Sequence, residues 1–356
     1  MKRFAFMMHA LDTGDVALNY RMARYRADRL VEALLVRMGP RPISDITGVR
    51  SITGAETEGW FVGCMLTSRQ FIELDERVAV RKIVETAQFA QEMGADIIGL
   101  GAFTAVVGNG GVDLAREVDI AVTTGNSYTV ATAVEGSLKA AAMIEVDLAE
   151  ATATILGASG SIGRVCAHLL RGHVGKLVLA ARTREALEQV AAELGEGSAD
   201  VEISTDIESA VRQADLIVAV TSSVDVIIEP EMLKPGAIVC DVSRPRDVSV
   251  RVAEKRDDVL VIEGGAVAPP GDVNFNFNFG FPPGLAYACM AETMILALEE
   301  RIENYSLGKE LELAKVREIS ELAIKHGFKL AGFRSFERAV DEQMIEQIKA
   351  KAGNRE

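Results

Sequence analysis

The chain has 356 residues, enough for about two or three domains, and 49% of them are hydrophobic, so a large core can be buried. A formal net charge of −14 speaks against general nucleic-acid binding. The apolar N-terminal run Phe4 to Leu11 is broken by His9 and too short for a membrane span, and it lacks a signal-cleavage pattern, so no transmembrane segment and a cytoplasmic location are expected.

The charge is uneven. Residues 1–50 carry nine Lys/Arg against five Asp/Glu, and the remainder is strongly acidic. Arg21, Arg24, Arg26, Arg29, Arg37 and Arg41 are either a solvated helix face or a surface that steers an acidic partner. Cys64, Cys166, Cys240 and Cys289 lack the short paired spacing of a zinc site or redox pair, so no metal is expected and reduced thiols fit best.

In chain order, Arg3–Ala10 reads as a strand, Val16–Val36 as a helix and Trp60–Leu66 as a strand. Asp75–Met93 has helical spacing, and Asp96–Gly101 and Asp119–Thr124 suit short buried strands. Ser127–Val146 reads as a long Ala-rich helix. Strands follow at Ala153–Leu156, Lys176–Ala181, Val201–Ser204, Leu216–Val220, Ala237–Asp241 and Val259–Ile262. Between them stand helices at Ile162–Arg171, Arg184–Leu194, Ile207–Ala214 and around Glu229–Leu233. Such alternation predicts a doubly wound parallel sheet. Phe275, Phe277, Phe279 and Phe281 then recur with period two, as in a half-buried strand or the wall of an acyl tunnel. Helices are expected at Leu285–Ile302 and Leu311–Lys325, and the amphipathic tail Ser335–Ala352 is expected to pack on the body or on a second subunit of a homo-oligomer.

The strongest motif is Gly157-Ala158-Ser159-Gly160-Ser161-Ile162-Gly163, placed between a strand and a helix. In that context it signals a dinucleotide site: Gly157 for the turn, Gly160 for approach of the pyrophosphate, Gly163 for helix–strand packing. The second strand ends in Ala181-Arg182-Thr183-Arg184, where an NAD site has Asp or Glu for the ribose 2′-hydroxyl. Arginines there suit a 2′-phosphate, so NADP(H) is the expected cofactor. Topology alone adds Thr221, Ser222 and Ser223, then Asp241 to Arg244, and Gly264 to Ala266, including Gly265, as residues bordering the cofactor.

Cys289, in Pro283-Gly284-Leu285-Ala286-Tyr287-Ala288-Cys289-Met290-Ala291-Glu292, lies early in an expected helix, where the dipole favours a thiolate able to attack a thioester. A buried core residue is the commoner reading of a lone cysteine. Cys166 and Cys240 read as core.

At this point the chain resembles the long-chain acyl-[acyl-carrier-protein] reductase family of cyanobacteria. The likeness runs from about residue 3 to 328. It rests on Ser51-Ile52-Thr53-Gly54, Gly101-Ala102-Phe103-Thr104, Thr123-Thr124-Gly125-Asn126-Ser127-Tyr128-Thr129, the glycine loop, Tyr287 to Glu292 and Lys325-His326-Gly327-Phe328. The resemblance implies that Cys289 is the nucleophile, that a fatty acyl-carrier protein is the partner substrate, and that NADPH reduces the acyl-enzyme to an aldehyde; departures from the family leave acyl-CoA open as the substrate. It makes Thr124, Asn126 and Ser127 candidate donors to the oxyanion, with helix capping as the plainer role of Asn126 or Ser127. Tyr128 replaces the histidine typical of the cyanobacterial proteins.

The expected fold class is therefore α/β: an N-terminal α/β substrate domain (1–147), a Rossmann NADP-binding domain (148–270), and a C-terminal segment (271–356) carrying Cys289 and helices that pack back. The competing reading is an NADP-dependent dehydrogenase of a small hydroxy or amino acid with a shikimate-dehydrogenase-like layout. The absence of lysine between Lys82 and Lys139 counts against its usual proton pair. A non-catalytic NADP(H)-binding scaffold is a third reading.

Overall fold

A computed structural model describes residues 1–19, 25–195, 197–223, 225–243, 245–336 and 338–352. Arg21, Arg24 and Arg244 lie outside them, while Arg26, Arg29, Arg37 and Arg41 are exposed. The chain divides into two units: residues 1–125, 267–310 and 318–329 form the first, and 126–266, 311–317 and 330–356 the second.

The first unit contains β1 (Arg3–Ala10), α1 (Thr13–Asn19), α2 (Asp28–Leu35), β2 (Arg41–Arg50), β3 (Glu56–Thr67), α3 (Ser68–Glu73), α4 (Glu76–Glu92), β4 (Ile97–Gly99), α5 (Val107–Gly110) and β5 (Ala121–Thr123). Its sheet has the order β2-β3-β1-β4-β5, parallel except for the antiparallel edge strand β2. Alternation along β1 turns Ala5 and Met7 into one core with Ala79, Ile83 and Ala87 of α4. The expected helix over Val16–Val36 is two shorter ones, because Ala27 adopts an extended conformation (φ −64°, ψ 140°) immediately before α2. Edge strand β2 is additional to the sequence reading.

The second unit begins with α6 (Asn126–Met143) and continues with β6 (Thr152–Leu156), α7 (Ser161–Leu170), β7 (Lys176–Ala180), α8 (Arg184–Leu194), β8 (Asp200–Ser204), α9 (Ile207–Arg212), β9 (Leu216–Ala219), β10 (Ile238–Asp241), α10 (Arg251–Lys255) and β11 (Leu260–Glu263). All six strands are parallel in the order β11-β10-β9-β6-β7-β8, the doubly wound Rossmann arrangement. Both faces are covered. Ile155, Leu177, Val218 and Cys240 join one core with α6, α7 and α8, and Leu156, Val178, Ile217 and Val239 join another with α9 and α10. Two covered faces explain the nearly continuous apolar strands.

The remaining strands and α-helices are β12 (Ala266–Ala268), β13 (Ala286–Tyr287), α11 (Ala288–Leu298), α12 (Leu313–His326), β14 (Lys329–Leu330), β15 (Arg334–Ser335), β16 (Arg338–Ala339) and α13 (Glu342–Ala352), and the helix expected around Glu229–Leu233 is a single 3-10 turn at Pro230–Met232. Helix α11 packs on β1 and β4 in the first unit, and α13 adds Ile345 and Ile348 to the core of the second. Among the described residues no helix is long and apolar enough to cross a membrane.

His9, at the C-terminal end of β1, ties that strand to the turn after β4. Its Nδ1 bonds the Ala10 carbonyl at 2.9 Å, and its Nε2 accepts the Phe103 N–H at 3.3 Å, with its ring packed beside the stacked rings of Phe71 and Phe103. Burial pulls its pKa down to about 4. The neutral ring therefore belongs to the folded state, while the unfolded chain takes up a proton near pH 6.5. Between those values the unfolded state binds more protons, so stability falls as pH falls. Urea unfolding at pH 5 should give a stability about 2 kcal/mol lower than at pH 7.5 from this group, and His9→Gln should lack that part of the difference. Identical pH dependence in parent and variant would refute it.

Candidate active site

The glycine loop leads from β6 into α7. Gly157 has φ +84°, and a Cβ there would lie 2.7 Å from the Val220 carbonyl oxygen. A Cβ on Gly163 would lie 2.3 Å from the Gly157 carbonyl oxygen, so α7 reaches the loop only without a side chain at that point. Gly160 precedes the helix in extended conformation with no side-chain cap. The first-turn amides of Ser161, Ile162 and Gly163 belong to a helix N-terminus, the end that favours phosphate. Ala158 is buried; Ser159, Ser161 and Ile162 are half-buried. This cradle fits a dinucleotide pyrophosphate.

Arg182, Thr183 and Arg184 are exposed beyond β7. Arg184 pairs with Glu188 at 3.0 Å, whereas no described partner within the chain engages Arg182. Thr221 and Asp241 turn inward. The Thr221 hydroxyl donates to Asp247 at 2.7 Å and accepts the Ser223 N–H at 3.1 Å. Asp241 accepts the N–H groups of Ser243 and Val248. These side chains shape the loops after β9 and β10. Burial holds the Asp247 pKa above the usual carboxylate value, against the hydrogen bonds from Ser243 and Thr221. Ser222 is exposed and Ser223 half-buried, and Gly265 sits in a buried turn at φ +86°.

In the first unit Cys289 is the second residue of α11 and is partly exposed, whereas Cys64, Cys166 and Cys240 are buried. Burial pushes the Cys64 thiol up to about 12 and Cys166 higher still. The turn after β5 lies directly on α11: Gly125 has φ +73°, and a Cβ there would be 2.3 Å from both Cα and Cβ of Cys289. A turn further along α11, the Thr293 hydroxyl donates to the Cys289 carbonyl at 3.2 Å and occupies the place a side chain on Gly99 of β4 would take.

The period-two phenylalanines do not form a strand. Asn274 and Asn278 accept the N–H groups of Asn276 and Gly280, folding the segment into successive side-chain-bonded turns, with Asn276 at φ +49°. The rings gather instead. Phe61 of β3 contacts Phe275, Phe277 and Phe279, and Phe279 and Phe281 contact Tyr287, which caps α11 two residues before Cys289. Phe275 is buried, while Phe277, Phe279, Phe281 and Tyr287 remain half-exposed.

Comparison with known proteins adds a family to this geometry. The long-chain acyl-[acyl-carrier-protein] reductase of Synechococcus elongatus is 32% identical over 310 residues, covering 81% of this chain and 87% of that protein. The chain belongs to that reductase family. The aminotransferase PigE of a Serratia species is also 32% identical, over 98% of this chain, which spans only 40% of PigE's length. The family description shikimate / quinate 5-dehydrogenase matches residues 139–263, most of the nucleotide unit. L-tryptophan dehydrogenase from Nostoc punctiforme aligns over 99% of this chain and 88% of its own, with 12% identity and a TM-score of 0.44.

The Thr123–Tyr128 segment runs from the first unit into the second. Thr124 is buried and its hydroxyl donates to the Ser306 carbonyl at 2.5 Å, which makes it a strut. Ser127 and Tyr128 are buried in α6, and burial, then the charge of Glu135, pushes the Tyr128 phenol well above its usual pKa. Asn126 is half-buried, with Nδ2 donating to Ser161 Oγ at 3.4 Å, at the start of the glycine-loop helix. The contact of Gly125 with Cys289, the bonds of Asp247 and the burial of Glu292 were outside the sequence reading. Gly125 and Glu292 stand in the quoted motifs, but no role was read for either.

Gly125→Ala should destabilise the protein by about 2–4 kcal/mol in urea unfolding, through backbone strain and overlap with Cys289. Gly54, at φ +90° with no atom near its Cβ position, supplies the control. Gly54→Ala should cost about 1–2 kcal/mol. Equal losses would mean that the approach to Cys289 is not tight.

Proposed function

We propose that this chain reduces an acyl thioester to an aldehyde with NADPH through an acyl-Cys289 intermediate. The observation that carries the reading is Cys289 itself. Of the four thiols it is the partly exposed one, in the first turn of a helix, against the Thr123–Gly125 turn of a reductase-family chain. The helix N-terminus favours its thiolate. Cys289 Sγ attacks the thioester carbonyl carbon, the C–S bond to the carrier breaks, and the carrier thiolate departs and takes a proton from solvent. NADPH, bound at the glycine loop, supplies the hydride that the acyl carbon accepts. Cys289 then leaves as thiolate and the aldehyde is released. Aldehyde, carrier thiol and NADP⁺ balance thioester, NADPH and one proton.

The exposed guanidinium of Arg182, without a partner among the described residues, supports NADPH over NADH, because a 2′-phosphate gives it a charge-assisted partner. Half-exposed rings beside Tyr287 support a hydrocarbon-bearing acyl group. Acyl-carrier protein and acyl-CoA both present such a thioester. The shikimate-type match lies in the nucleotide unit, so it supports the cofactor class and does not bear on the substrate.

Cys289→Ala should abolish NADPH-dependent aldehyde formation from acyl-CoA while NADPH still quenches or shifts fluorescence with unchanged Kd. Aldehyde production at the parent rate would remove the covalent route. Arg182→Ala should weaken NADPH binding about tenfold and leave NADH nearly unaffected, read as Kd by titration. Equal losses for both dinucleotides would remove the 2′-phosphate assignment.

A further inference from the structure

We propose that Glu292 is a positioning residue for Cys289: its buried carboxylate holds the Thr123–Gly125 turn down on the first turn of α11. Its meaning for turnover rests on the thioester reading above, while its geometric content stands apart from it.

Glu292 has no solvent exposure. A carboxylate so placed persists only where donors replace its lost water. Its Oε1 accepts the Thr123 hydroxyl at 2.5 Å and the Ser306 hydroxyl at 2.8 Å. Each donor is held further. Thr123 Oγ1 accepts the Gly125 N–H at 3.2 Å, fixing the peptide that enters the left-handed turn. The Ser306 carbonyl accepts the Thr124 hydroxyl, and neighbouring Tyr305 bridges to Thr123 in the β5 layer. One carboxylate thus joins α11, the turn after β5 and the 305–306 segment.

Glu292 stands three residues after Cys289, on the same side of the helix, and Gly125 is the residue packed on Cys289. A side chain that cannot accept both hydroxyls would release the turn from the sulfur. A carboxylate acting only through its negative charge would behave differently, because an amide would then fail as badly as a methyl group. An amide oxygen can accept the same two hydroxyl bonds.

The test uses the full chain with Glu292→Gln, Glu292→Ala and Thr123→Val. Two rates are read: alkylation of Cys289 by iodoacetamide, followed by intact mass and peptide mapping, and NADPH-dependent turnover of an acyl-CoA. Glu292→Gln should stay within about threefold of the parent in both. Glu292→Ala should speed alkylation by about tenfold as the turn lifts, and lower kcat by about 10–100-fold with KM little changed. Thr123→Val should move both rates in the same direction by less, and it carries the test if Glu292→Ala does not fold. Glutamine matching alanine would overturn the proposal, as would parent-like alkylation in both Glu292→Ala and Thr123→Val. If alkylation follows the predicted order while the parent reduces no acyl-CoA, the positioning role stands and the thioester reading falls.

Discussion

The first unit is organised around a close approach of two backbones. The turn after β5 lies on the first turn of α11 at a distance that no side chain at position 125 would permit. Gly125 serves twice there: it supplies the left-handed φ of +73°, and it leaves room for the Cα and Cβ of Cys289. Around this contact stand buried hydroxyls whose bonds run inward, from Thr123 and Ser306 to Glu292, from Thr124 to Ser306 and from Thr293 to Cys289. Such a buried polar network is stable only when its members find partners, and it fixes one arrangement where an apolar core would allow several.

The second unit uses close approach for another end. Gly157 and Gly163 let β6, β9 and α7 converge, leaving helix-terminal amides for an anionic ligand. Polar residues beyond the strand ends mostly brace the loops: Thr221 and Ser243 bond Asp247, and Asp241 collects two main-chain amides. Arg182 is the contrasting residue, exposed beyond the second strand with no partner among the described residues.

The Rossmann pattern was readable from local sequence because all its strands but the edge strand β8 are buried almost end to end and nearly continuously apolar. Strand β2 was not readable. It is an edge strand, only Ile46 and Val49 are buried along it, and irregular register between Pro42 and Ser44 and between Ile46 and Val49 breaks its alternation. The Phe275–Phe281 segment misled in the opposite way, since its strand-like period belongs to asparagine-bonded turns that gather rings around Phe61. The place of Cys289 near the start of a helix, and the strand–turn–helix setting of the glycine loop, were legible through motif and context. The buried partners of Thr124, Thr221 and Glu292 come from segments distant in sequence, and no local pattern encodes them. Thr124, a candidate oxyanion donor by resemblance, donates its hydroxyl hydrogen to the Ser306 carbonyl.

The central claim, that Cys289 becomes acylated, is tested most directly by intact-protein mass spectrometry after incubation with an acyl-CoA in the absence of NADPH. The account predicts one adduct of the acyl mass, mapped to the peptide containing Cys289 and discharged when NADPH is added. An unchanged mass, or an adduct carried by another residue, would contradict it.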